Sequence, residues 1–255
     1  MMAANVTLQT IDEPGWRAGL SSLLRKELRE WWGTNTWWRQ LLLWLFLLNG
    51  VWGLLLFGTP PEVEQGPGIE IFTLLTGIFA PLGVIIFLGG AVVNEKLSST
   101  AAWVLSKPVS RSAFILAKLL AHSLGFFIAI IVVPGLVGYW EASANGLGLT
   151  GVPFVLGLGL LYLNLLFYVA LTVMLGTFFR SPTPVIGIPV VLLFLQVGLV
   201  EATGLDAYLP GALPFLAPVA MLGQPLPWLF PIGAAAVLTL LFSALAIWRF
   251  GRDEF

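Results

Sequence analysis

Apolar residues fall along this chain in long unbroken runs rather than in alternating or heptad patterns. Crossing about 30 Å of hydrocarbon takes roughly 20 residues of helix at 1.5 Å each. Six runs reach that length, near 38–58, 69–93, 112–138, 152–179, 184–203 and 227–249. Lipid offers no water to the backbone, so such runs fold as helices, whereas a β-barrel would read as short alternating segments. Two polar segments carry a different signal. Over residues 16–32, Trp16, Leu20, Leu23, Leu24, Leu28 and Trp31 recur at helical spacing, with Ser21, Ser22, Arg25, Lys26 and Arg29 on the other side. That pattern predicts a basic amphipathic helix on the membrane surface. Residues 95–107 set Leu97, Ala101, Val104 and Leu105 on one face against Glu95, Ser98 and Ser99 on another, predicting a short helix that Pro108 ends. The chain is therefore predicted to be an all-α membrane protein. Its N-terminal segment 1–36 carries the interfacial helix, its six-span domain covers 37–250 with a loop at 94–111 and an external cap or re-entrant segment at 204–226, and its tail is 251–255.

Composition agrees with that reading: 58% of the 255 residues are hydrophobic and 10% charged, against about 25% charged in soluble domains. The mean hydropathy is +0.94. Charge placement adds direction. Arg17, Arg25, Lys26, Arg29 and Arg39 precede the first span, Lys96, Lys107, Arg111 and Lys118 flank the second and third, Arg180 joins the fourth to the fifth, and Arg249 and Arg252 end the sixth. The loops at 59–68, 139–151 and 204–226 hold no Lys or Arg, but carry Glu62, Glu64, Glu141 and Asp206. By the positive-inside rule both termini are expected in the cytoplasm, with the chain in the plasma (inner) membrane. The acidic residues Asp12, Glu13, Glu27 and Glu30 ahead of the first run, and its length, make it an uncleaved span rather than a signal peptide.

Little chemistry is left. The chain has no cysteine and one histidine, His122, and its net charge of −1 lacks the footprint of a nucleic-acid binder. No cofactor, metal site or enzymatic activity is expected. Gly146-Leu-Gly148-Leu-Thr-Gly151 has the spacing of a dinucleotide fingerprint, but it lies between two spans and no acidic residue follows about 20 positions later, so it reads as a turn. No phosphate-binding Gly-x-x-x-x-Gly-Lys-Ser/Thr occurs. His122 has no ionisable companion visible at mid-span, where the polar residues are Asn49, Asn164 and Gln196, and it reads as a neutral packing residue rather than a proton relay. Trp31, Trp32, Trp37, Trp38 and Trp44 read as a headgroup anchor, and Pro81, Pro134, Pro184 and Pro189 as kinks. The apolar interior argues against a proton-coupled carrier or an ion channel, both of which need polar linings.

The loop nevertheless has a likeness. Glu95-Lys96-x-x-Ser99-Thr100, followed by Leu105-Ser-Lys-Pro108-Val-Ser110-Arg111 and Lys118, resembles the cytoplasmic loop of ABC type-2 transporter permeases, where Glu-x-x-x-Gly-Thr precedes Ser-x-Pro-x-Ser-Arg. Leu24-Arg25-Lys26-Glu27-Leu is similar to that family's opening, and the six spans and the Pro-rich segment before the last one also match. Ser99 stands where the family has Gly. The resemblance implies that 95–107 is a coupling helix seated on a separate cytoplasmic ATPase subunit. Glu95 would open that helix and face a cation of the ATPase, with Lys96, Ser99, Thr100, Pro108 and Arg111 alongside. The chain itself would be the permease of an exporter, working as a homodimer or with a homologous permease. The rival reading is a membrane scaffold or assembly factor with no transport cycle; an intramembrane enzyme lacks a catalytic constellation. The cargo is not legible.

The absence of native cysteine makes the topology testable. A cysteine at Asn145 is expected to react with a membrane-impermeant maleimide in intact cells and one at Ser98 to be protected; the reverse pattern inverts the orientation.

Overall fold

The computed structural model describes residues 15–58, 68–203 and 205–253. Asp12, Glu13, Glu62, Glu64 and the side chain of Asp206 lie outside the described residues. Helices make up the fold, with no strand among the described residues. In chain order they are α1 (Leu20–Trp32), α2 (Thr36–Gly58), α3 (Ile69–Leu97), α4 (Thr100–Leu105), α5 (Arg111–Ala144), α6 (Gly151–Phe178), α7 (Pro182–Thr203), α8 (Leu213–Met221) and α9 (Phe230–Phe250). Six of them, α2, α3, α5, α6, α7 and α9, are long and apolar enough to cross a membrane.

α6 is the core helix. Leu161, Leu165, Phe167, Tyr168, Val169 and Val173 are all buried on it, because α3, α7, α8 and α9 pack around it. Its apolar residues therefore surround the axis instead of forming one stripe. By contrast α2, α7 and α9 leave apolar side chains such as Phe46, Leu54, Val191, Phe194, Val237 and Leu240 outward, as spans solvated by hydrocarbon do.

Two prolines shape the spans. A helical proline cannot donate to the carbonyl four residues back, and its ring crowds that carbonyl. Wider π turns at Leu75–Phe79 and Phe127–Val132 stand just before Pro81 and Pro134 and carry the affected carbonyls of Gly77 and Ile130 clear. The Gly77 carbonyl is then satisfied from outside the helix: Asn164 Nδ2 of α6 donates to it at 2.9 Å. The buried Gln196 of α7 similarly accepts from the Gly211 N–H at 2.7 Å. Both mid-span amides thus serve the backbone, which has no water to turn to.

The segment expected as an external cap or re-entrant segment packs in the bundle: α8 buries Leu213, Leu216, Ala217 and Met221, with Pro214 against Gly77 of α3 and Ala217 and Met221 against Gly157 of α6. One feature differs from the sequence reading: α5 runs on to Ala144 rather than ending near 138, so Glu141 is helical and buried, not a loop residue. At the start of the tail, Arg111 Nη1 donates to the Gly251 carbonyl at 2.9 Å. The glycine-rich stretch is a turn, with Gly146 and Gly148 at φ 73° and 63°.

A Cβ on Gly157 would lie 2.7 Å from the Ala217 carbonyl and collide with Met221, whereas one on Gly159 would meet nothing within 4 Å. Gly157→Ala is therefore expected to lower unfolding stability in detergent by about 1–3 kcal/mol and Gly159→Ala to leave it unchanged or slightly raised, as read by thermal melting.

Candidate functional site

Charged side chains of α1, α3 and α5 converge at one end of the bundle. α1 docks on α5 through Leu23, Glu27 and Trp31, which sit four residues apart and are all buried. A glutamate in a buried seam needs a partner, and Lys118 supplies it: two turns into α5, its Nζ lies 3.1 Å from Glu27 Oε1 and 3.0 Å from Glu95 Oε1 at the end of α3. Lys26 closes the ring, 3.3 Å from Glu27 Oε1 and 3.1 Å from Glu95 Oε1, and reaches the exposed Glu30 at 3.3 Å. Two carboxylates thus alternate with two ammonium groups, tying α1, α3 and α5 together. The side chains of Lys118 and Glu27 are only 3% and 4% exposed, so this pair is desolvated while Lys26, at 36%, stays wet.

Burial pulls the Lys26 pKa down, but Glu27, Glu95 and Glu30 outweigh it and hold the ammonium above its ordinary value of 10.5. A raised ammonium pKa gives stability that is complete below 10.5 and lost only as pH climbs through the folded value. Lys26 therefore contributes unchanged across the neutral range.

His122 lies one turn beyond Lys118. Its Nδ1 accepts from Trp31 Nε1 at 2.9 Å, which leaves the ring proton of the neutral form on Nε2, 4.0 Å from Glu27 Oε2. It is the packing histidine expected, although its companions come from α1 rather than from a span. Trp31 is not a headgroup anchor. It is 1% exposed, packs edge-on against Phe126, and fits because Gly125 has no Cβ, which would sit 2.5 Å from the indole. Trp44 is buried too, and Trp32, Trp37 and Trp38 remain outward.

The loop residues separate by direction. Glu95 does not open the short helix and does not face outward: it lies in the last turn of α3 and pairs with two lysines of its own chain. Its neighbour Lys96 points away, 2.8 Å from Asp253 Oδ2 and donating to the Thr177 carbonyl at 2.8 Å. Arg249 meets the same Asp253 at 2.6 Å. One helical turn of α3 thus fastens α1 and α5 on one side and the ends of α6 and α9 on the other. Ser98 and Ser99 then break the helix. Ser99 is the one non-glycine residue with positive φ among the described residues, at 57°, a conformation that favours glycine. Thr100 starts α4, with its Oγ1 2.8 Å from Ser98 Oγ. Within α4 Ala101 and Val104 are buried, while Trp103 and, just before the helix, Leu97 are each 63% exposed. Lys107 stands over the Trp103 ring at 3.8 Å, and the exposed Pro108 follows α4. Ser110 caps α5 by accepting from the Ala113 N–H at 3.0 Å, ahead of Arg111. On α1, Arg25 and Arg29 face outward beside Trp32 along a shallow groove.

Among the described residues no three His, Asp or Glu side chains gather to hold a metal. The arrangement is one of ion pairs and hydrogen bonds that join the end of α3 to α1 and α5 and to the ends of α6 and α9.

The sequence signal for this node was Lys118 itself. A cation beyond the first turn of an apolar span demands an acid at its own depth, and Glu27, four residues from Leu23 and from Trp31 of the apolar stripe, was available.

Removing one partner of a desolvated pair costs far more than the pair contributes. Lys118→Met is expected to destabilise the chain by about 3–5 kcal/mol, and adding Glu27→Gln to recover part of it. The Lys26–Glu30 pair, exposed and four residues apart, should show a coupling of no more than about 0.5 kcal/mol in the same double-mutant cycle.

No curated protein matches the chain. A family model described as a protein of unknown function, DUF2705, matches residues 41–255, from the first span to the end of the sequence. That match covers most of the chain, and the protein belongs to the DUF2705 family.

Proposed function

We propose that this chain is the membrane-spanning permease of an ATP-driven ABC exporter, set in the plasma membrane with both termini in the cytoplasm. Two copies, or one with a homologous permease, would bind two cytoplasmic ATPase subunits. The observation that carries this reading is the build of α4. This short helix offers Trp103 outward, beside the exposed Leu97 at the end of α3, at the end of the molecule where the basic residues gather, and is held from behind by Ala101 and Val104. An exposed tryptophan on a six-residue helix, with Lys107 over the indole and an exposed leucine just before it, suits insertion into a cleft of a partner. The Glu95 and Lys96 contacts give α4 a stiff path to four other helices, so that a push on it moves spans rather than bending a loop. No phosphate-binding loop occurs in the sequence, as a subunit served by a separate ATPase would have it. In this reading Glu95 acts within the chain, as the hinge pin of the coupling segment, and the outward arginines Arg25 and Arg29 of α1 meet lipid phosphates.

The test is association. Purified in mild detergent from its own cells, the tagged wild-type chain is expected to bring an ATPase subunit whose hydrolysis is retained in the complex. Trp103→Asp should lose that subunit by at least about 10-fold while keeping expression, membrane insertion and melting temperature. An ATPase retained equally by both, or absent from both while a different protein copurifies, moves the assignment to the scaffold reading.

A further inference from the structure

At the end of the bundle away from the charged node, α2 and α5 enclose a groove of about 580 Å³. Its polar floor is Asn49 and Glu141, 3% and 7% exposed, and its walls include Gly50, Gly53, Leu54 and Phe57. We propose that this groove binds a primary ammonium group, with the Glu141 carboxylate and the Asn49 side-chain oxygen as its acceptors.

Three observations carry this. The first concerns the amide. Asn49 Nδ2 donates to the Pro134 carbonyl at 3.0 Å and to Glu141 Oε2 at 3.1 Å. Two acceptors fix which side of the amide is nitrogen, so Oδ1 is the side left over, buried and without a partner. An acceptor in that state is costly unless something donates to it. The second concerns the carboxylate. The Lys and Arg of α2 and α5 are Arg39, Arg111 and Lys118, at the other ends of those helices, so no cation lies in the stretches that line the groove, 49–58 and the last turns of α5 around Glu141. An acid among spans is normally paired, and Glu141 has only a neutral amide. The third concerns the backbone. Gly53 admits the carboxylate, since a Cβ there would stand 2.8 Å from Glu141 Oε1. Asn49 also rides on a π turn, Leu45–Gly50, that no proline of α2 explains, unlike the two that precede Pro81 and Pro134. Such turns recur where a helix carries a site.

The donor set selects the ligand. A primary ammonium has three N–H donors, which suits a carboxylate and one amide oxygen. A calcium ion would ask for six to eight oxygens. The outward Leu54 and Phe57 suit an alkyl chain beside the charge, and Phe57 offers a ring for a cation–π contact. The ligand class is an amphipathic primary amine, whether a lipid headgroup or a free alkylamine. Binding needs no ATPase, so its failure and failure of the permease reading are distinguishable.

The full-length chain in dodecyl maltoside micelles is titrated with hexylamine by calorimetry, with hexanol and hexyltrimethylammonium as controls. Wild type is expected to bind hexylamine saturably and the controls at least about 10-fold more weakly, since one lacks the charge and the other the N–H donors. Glu141→Gln, which is isosteric, and Leu54→Trp, which fills the groove and leaves the acid intact, should each weaken hexylamine by a similar factor without changing the melting temperature. Native mass spectrometry after incubation with phosphatidylethanolamine or phosphatidylcholine separates the sources. Retention of the former alone, lost in Glu141→Gln, assigns a lipid headgroup, and hexylamine binding without lipid retention assigns a free amine. Equal hexylamine binding by wild type and Glu141→Gln, or binding of neither amine by wild type, overturns the proposal.

Discussion

The architecture turns on one buried ammonium. Lys118 sits in α5 with 3% of its side chain exposed, at a depth where an isolated charge would cost several kcal/mol. The acids that neutralise it come from two other elements, Glu27 from the middle of α1 and Glu95 from the last turn of α3. That requirement decides where α1 lies. An amphipathic helix could lie at any azimuth on the membrane surface; this one is locked against α5 because its buried seam contains a carboxylate. Once Glu27 is seated, Trp31 one turn later falls onto Gly125 and bonds His122. The net contribution of such a pair to stability is small beside its specificity, since any other docking of α1 strands two charges.

The same logic governs the neutral polar groups. In hydrocarbon each freed carbonyl or amide must find a protein partner, and the proline at 81 frees one for which Asn164 is present at 2.9 Å. Gln196 anchors the 210–212 turn to α7, which seats α8 among the spans rather than over them. Close approach there depends on Gly77 and Gly157, where α8 passes against backbone. These contacts are rigid because they are few and fully buried.

The six spans were legible because lipid solvation removes periodicity and leaves long apolar runs, whose length alone identifies them. The end of α5 was not, since Glu141-Ala-Ser-Ala144 has the composition of a loop. Helix continues there because Ser143 bonds back to the Tyr139 carbonyl and Glu141 finds Asn49 on the neighbouring span, a tertiary contact with no local trace. In the loop at 94–111 the residues were legible but their directions were not. Glu95 and Lys96 are adjacent in sequence and point to opposite sides, and only the phase in which α3 ends decides which one meets α1. The burial of Glu27 was not legible for a similar reason: hydrophobic periodicity says nothing of a glutamate's partner, and Lys118 lies 91 positions away. Ser99 is the informative exception. It stands where the resembled pattern has glycine, and its left-handed backbone gives that glycine a physical reason.

The two ends of the molecule are unlike in kind. At one, every buried acid has a base within the chain: Glu27 and Glu95 meet Lys26 and Lys118, and Asp253 meets Lys96 and Arg249. What such an end offers a partner is shape, in the outward Trp103 and Leu97. At the other, none of the chain's 12 cations lies in the stretches that line the groove around Glu141, and an amide oxygen beside it lacks a donor. An unpaired acid in lipid is stable only with a counterion or a proton, so the proposed amine would complete that end from outside the chain, whereas the acids of the charged end already have their bases. The direction of the asymmetry follows from the positive-inside pattern alone. Gathering every Lys and Arg on one side to fix topology leaves an acid on the other side with nothing of its own to pair with.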